Sequence, residues 1–155
     1  MDDKKTLKAK ALEFLREHRS AVISSISEAG LPQSATVTFL VDDDLNLFFV
    51  TRKSSRKYAN MMKNPKVAVV VGFDPDHPST IQMEGEAHEA DGNRLVMLLQ
   101  FSKDMAFREQ WWPLLKIAGL DFVIMEVKPD WMRWLNLDVS PGGADYKEDF
   151  YQVLP

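Results

Sequence analysis

Apolar positions recur along the chain in two rhythms, a helical one at the start and a strand-like one through most of the rest. Leu7, Ala11, Phe14 and Leu15 fall at i, i+4, i+7 and i+8, which predicts an amphipathic helix over Thr6 to His18 with Thr6 as its N-cap. Ala21 to Ser27 is short and β-branched, and Glu28-Ala29-Gly30 turns it toward a second strand from Gln33 to Val41. Asp42-Asp43-Asp44 breaks that strand, and Leu45 to Thr51 resumes it as a hairpin. Tyr58, Met61 and Met62 carry helical spacing that Asn64-Pro65 stops. Val67 to Phe73 and Thr80 to Ala90 read as strands, with Gly85 marking a bulge or a close backbone approach. A later helix carries Leu95, Val96, Leu98 and Leu99. Two further strands, Phe122 to Val127 and Trp131 to Leu137, flank Pro129-Asp130, and a Gly- and Asp-rich tail from about residue 139 is expected to be loose, with Phe150, Tyr151, Val153 and Leu154 available to dock.

About seven mostly consecutive strands with few helices favour a mainly β fold, a closed or partly closed antiparallel barrel with flanking helices. No repeat or linker divides the 155 residues, so one domain over 1–155 is expected. Composition narrows the chemistry. There are no cysteines, which excludes disulfides, thiol nucleophiles and zinc–thiolate sites. Nineteen Lys and Arg against 23 acids leave a net charge of −4, which argues against nucleic acid as a partner. No apolar run is long enough to span a membrane and no signal-peptide core opens the chain, so a cytoplasmic location is expected. His18, His77 and His88 lack metal-ligand spacing, and the acids of Asp42–Asp44, Asp74 and Asp76 lack the Gly and terminal Glu of a calcium loop. No metal site is expected.

Against this background one segment stands out. Thr51-Arg52-Lys53-Ser54-Ser55-Arg56-Lys57 places four cations and three hydroxyls at the junction of a strand and a helix. Helix-start N–H groups, hydroxyl donors and Arg and Lys charges together suit a phosphomonoester. A solvated basic turn with Ser54 as a helix cap explains the same residues. Elsewhere Glu84 and Glu86 share a strand face, read as an outward polar face. Trp111 and Trp112 precede Pro113 and cannot both enter one core, so the segment from Gln110 to Lys116 is expected over a pocket or a subunit seam.

The order of these motifs resembles the pyridoxamine 5′-phosphate oxidase-like FMN-binding split barrels. The resemblance runs from Phe49-Val50-Thr51 through Ser55-Arg56-Lys57 and Asn64-Pro65 to Ile81-Gln82-Met83-Glu84-Gly85. It ends at Phe122 to Pro129 and covers roughly Leu12 to Leu137. It implies a six- to seven-stranded antiparallel split barrel and a homodimer with FMN at the subunit interface. Ser55, Arg56 and Lys57 match the phosphate-binding segment, and Thr51 the hydroxyl before it. Thr36, Val37 and Thr38 match the strand whose backbone follows the isoalloxazine edge, and Gln82 a side chain reaching the flavin from the partner. The chain departs from the oxidases at Ser34-Ala35-Thr36, where they carry an Arg, and in its tail, which lacks their Arg- and His-containing substrate segment. The expectation is therefore a short general-stress-type member. It would pass electrons or hydride between FMN and an unidentified small molecule, with no assigned catalytic side chain. Non-catalytic binding of flavin, deazaflavin or haem, as a carrier or sensor, is the alternative.

Overall fold

The computed structural model describes residues 3–91, 93, 121–139 and 146–155. Helix α1 (Lys4–Glu17) starts two residues earlier than expected, with Asp3 at the N-cap. Thr6 lies inside the first turn, and the Asp3 carbonyl accepts the Leu7 N–H at 3.0 Å. The apolar stripe is as read: Leu7, Ala11 and Leu15 are buried in the common core. His18 ends the helix and its Nδ1 donates to the Phe14 carbonyl at 2.7 Å.

Strands β1 (Ser20–Ile26), β2 (Pro32–Val41), β3 (Leu47–Arg52), β4 (Lys66–Asp74), β5 (His77–Glu89) and β6 (Phe122–Val139) pair antiparallel in the order β3-β2-β1-β4-β5-β6. Pairing of β6 with β3 closes the ring into a six-stranded barrel. Alternation sends Ile23, Val37, Phe39, Phe49, Val69, Ile81, Met83, Met125 and Val127 inward, and burying these apolar side chains is the main favourable term for the barrel. Phe48, Val50 and Ile124 form a second buried cluster, so both faces of β3 are covered. Helix α2 (Arg56–Lys63) sits between β3 and β4 and packs on β1, β2 and β5.

Two expectations are corrected near the C-terminus. The strands read on either side of Pro129-Asp130 are one strand, β6, bent at a bulge: Gly85 pairs with Pro129 and Glu84 with Trp131, leaving Asp130 extra. A Pro lacks the ladder N–H, and a bulge is where a strand absorbs it. The tail, expected to be loose, forms β7 (Tyr146–Leu154) against the second half of β6. Val153 is buried, and Tyr151 lies 5.9 Å from the Trp134 ring. The late helix at Leu95–Leu99 and the Gln110–Lys116 segment lie outside the described residues. No helix among the described residues is long and apolar enough to cross a membrane.

Gly85 is where the bend is made. A Cβ there would stand 2.2 Å from the Lys128 carbonyl oxygen and 2.8 Å from Pro129 Cα, both backbone atoms. Gly85→Ala therefore forces two strands apart and is expected to cost about 3 kcal/mol of stability. Urea unfolding checks this, as a lower midpoint at unchanged slope; a midpoint equal to that of the native chain would refute the close-approach role.

Candidate functional site

The basic segment begins where β3 ends. The Ser55 N–H donates to the Arg52 carbonyl at 3.0 Å, closing a tight turn into α2. Ser55, rather than Ser54, is the N-cap: its Oγ accepts the Tyr58 N–H at 3.3 Å. The same hydroxyl is hydrogen-bonded at 3.0 Å to Thr51 Oγ1, and Thr51 is buried. Strand end and helix start are thus tied together side chain to side chain.

The helix is anchored from below. Asn60 is buried and its Nδ2 donates to Ser25 Oγ at 3.1 Å and to Gln33 Oε1 at 3.0 Å. The Tyr58 hydroxyl donates to Glu89 on β5, and that bond holds the phenol above its ordinary pKa. On this fixed base stand four cations. Arg52, Lys53 and Arg56 are exposed and Lys57 is half-buried. The Arg52 guanidinium lies 5.4 Å from the Phe122 ring centroid. None of the four has a carboxylate partner among the described residues. A cluster of like charge at a helix start, without a carboxylate partner among the described residues, is suited to an anion.

The opposite wall comes from β2. Its residues Pro32–Thr38 pair with β1, but β3 pairs only with Phe39, Leu40 and Val41. Continued by two residues, the β2–β3 register would set Val37 opposite Thr51. Instead the strands part, leaving a notch with, among the described residues, an open strand edge on one side and the basic junction on the other. In an open edge, backbone N–H and C=O groups alternate without strand partners. Val37 is 7% exposed and belongs to the core, so its contribution to the notch is its backbone. Thr36 is exposed and Thr38 half-buried on the outward face. The structure therefore brings Thr36, Val37 and Thr38 to one wall of the notch, and Thr51, Ser55, Arg56 and Lys57 to the other.

Gln82 is not at the notch of its own chain. Register places Thr36, Val22, Val70, Gln82 and Arg133 in one row across five strands. Three strand spacings separate Gln82 from Thr36, about 14 Å along the sheet. The row crosses an outward patch of Ser20, Val22, Ser24, Ser34, Thr36, Thr38, Ala68 and Val70, itself uncharged and bordered on the same face by Lys66, Glu84 and Arg133. Val22 and Val70, neighbours on this face, are 42% and 41% exposed. A neutral face of small side chains with exposed valines at its centre has the character of a contact surface. Arg133 follows Gln82 in the row, with Gln152 of β7 beyond it, and nothing in the sequence pointed to Arg133: only the β5–β6 register sets it beside Gln82.

His18 and His88 stand apart from the notch. His18 is at the end of α1, and His88 is on the outward face of β5 with Nε2 3.2 Å from Glu86. Glu84 and Glu86 are both exposed on one face of β5, as read. Among the described residues no group of three or more His, Asp or Glu is placed to hold a metal ion.

A flat cofactor with a polar rim and a terminal phosphate fits this donor set: rim atoms on the open edge of β2, phosphate on the cations at the start of α2. Comparison with known proteins agrees with the fold that produces the notch. The family profile for pyridoxamine 5′-phosphate oxidase matches residues 7–135. The chain belongs to the pyridoxamine 5′-phosphate oxidase family. Within the family it is similar to general stress protein 26 of Bacillus subtilis, with 26% identity over 132 residues, 84% of this chain and 89% of that one. In fold it resembles a pyridoxamine 5′-phosphate oxidase-related, FMN-binding protein from Nostoc punctiforme, at a TM-score of 0.63 and 18% identity over 97% of each chain. The haem-binding protein of Mycobacterium smegmatis shares the fold at a TM-score of 0.69 and 13% identity, over 95% of this chain and 58% of that one. The family is thus settled by the sequence match, whereas these two solved structures speak for the fold alone.

Proposed function

We propose that this family member binds FMN between two copies of itself and uses it to pass electrons or hydride to or from a small molecule. The observation that carries this reading is the notch, an open backbone edge at Thr36–Thr38 beside cations that have no carboxylate partner among the described residues and are held at a capped helix start. Ser55, Arg56 and Lys57 hold the phosphate, with Thr51 fixing the Ser55 hydroxyl from behind. The backbone of Thr36, Val37 and Thr38 binds the polar rim of the ring. Gln82 completes the site from the neutral face of the second copy. The FMN-binding relative in Nostoc supports the choice of cofactor. The bound isoalloxazine supplies the redox chemistry, so the protein has to bind, orient and exclude water rather than provide acid–base groups.

Haem is the second reading, favoured by the Mycobacterium likeness. It is the weaker one, because neither His18 nor His88 stands at the notch to serve as an axial ligand. Visible absorption titrations with FMN and with haemin separate the two. The proposal expects the flavin bands to shift and saturate at one FMN per chain, with no haem-type band shift. A haemin complex in place of a flavin complex would overturn it.

A further inference from the structure

Gln82 and Arg133 stand opposite each other in the β5–β6 ladder, and Arg133 Nη2 donates to Gln82 Oε1 at 3.2 Å. The guanidinium is also held by two rings, its carbon 4.5 Å from the Phe150 centroid and 5.6 Å from that of Trp131. Such stacking removes much of the rotamer freedom an outward Arg would otherwise have. No carboxylate among the described residues neutralises it.

The chemistry of the pair fixes its polarity. An Arg side chain has donors only, so it must hold the oxygen end of the Gln82 amide. The NH₂ end is the one left to act, and no acceptor among the described residues takes it. The outward face therefore presents, at this point of the row, a directed N–H donor backed by a fixed positive charge. Its complement is an electron-rich acceptor, a carbonyl oxygen or a deprotonated ring nitrogen, and never an N–H.

Resting on the proposed FMN site, we infer that Arg133 is a positioning residue. It turns the Gln82 amide so that its donor meets the carbonyl edge of the flavin's pyrimidine ring, and it makes the site favour reduced, anionic FMN over the oxidised, neutral cofactor. A cation held near a ring that gains negative charge on reduction stabilises the reduced form selectively. A clamp that merely ties β5 to β6 would affect both forms alike.

The test is the affinity of the dimer for oxidised and for anaerobically reduced FMN, in the native chain and in Arg133→Met, Arg133→Lys and Gln82→Leu. Arg133→Met is expected to lower the preference for reduced FMN by about tenfold, a fall in potential of about 30 mV for a two-electron couple. Arg133→Lys, which keeps the charge and a donor, is expected to keep the preference, and Gln82→Leu, which removes the directed donor but leaves the Arg133 charge, to lower it by less than Arg133→Met does. If Arg133→Met weakens both forms equally, or neither, the inference falls while the FMN site stands. If the native chain binds neither form, both fall.

Discussion

Replacing Arg56 and Lys57 together by alanine is expected to lower affinity for the proposed FMN cofactor about a hundredfold and to leave the barrel folded. The magnitude follows from the site. A hydrogen bond to a charged partner contributes about 1.5–3 kcal/mol. Arg56 is exposed, so its share is taken at the low end. The two together then supply about 3 kcal/mol, and 1.4 kcal/mol is a factor of ten in affinity. Stability should hardly change, because neither side chain has a carboxylate partner among the described residues and neither belongs to the core. Flavin fluorescence titration measures the affinity, and circular dichroism the fold. An affinity unchanged in the double variant would reduce Arg52–Lys57 to a capped basic turn.

Val70→Glu is expected to break the proposed dimer. Val70 lies on the neutral outward face between Val22 on β1 and Gln82 on β5, and it is 41% exposed in the single chain. A carboxylate there is harmless to a monomer, where surface substitutions change stability by about 0.5 kcal/mol or less. At the centre of a subunit contact it would be a desolvated charge with no partner, a loss of about 3–5 kcal/mol. The dimer dissociation constant should rise at least about a hundredfold. Sedimentation velocity reads the change directly. FMN affinity should fall with it, since Gln82 of the second copy is then lost from the site. A Val70→Glu chain that still dimerises and binds FMN as before would place the interface elsewhere.

Much of this architecture was legible in the residues. β-Branched content in Ala21–Ser27 and the near-continuous apolar run Val67–Phe73 located β1 and β4, each of which faces the core with every second side chain. Gly85 announced the bulge for a sound reason, as no Cβ fits beside Lys128 and Pro129. Pro129 misled in the other direction. It reads as a strand end, yet the bulge lets β6 run through it. The tail misled because residues around 140–145 have turn composition, which hid the alternation of Phe150, Tyr151, Gln152 and Val153 beyond them. Ser54 and Ser55 are indistinguishable by type. Only the position of Tyr58 N–H, three residues on from Ser55, decides which one caps α2.

The candidate site was legible as a list but not as a place. The family resemblance named Thr36, Val37 and Thr38, Thr51, Ser55, Arg56 and Lys57, and Gln82. Why all but Gln82 belong together is a matter of register, since the β2–β3 pairing stops at Phe39 and Phe49 and opens the notch between them. Arg133 was invisible for the same reason. Its significance depends on the neighbour it acquires across a ladder, 51 residues away in the chain.

The most direct test of the phosphate site compares FMN with riboflavin, which differs only in lacking the phosphate. Titrating the purified native protein with each and following flavin fluorescence gives both dissociation constants. Anchoring on Ser55, Arg56 and Lys57 predicts that FMN binds about a hundredfold more tightly than riboflavin. Equal affinities, or binding of neither, would contradict it.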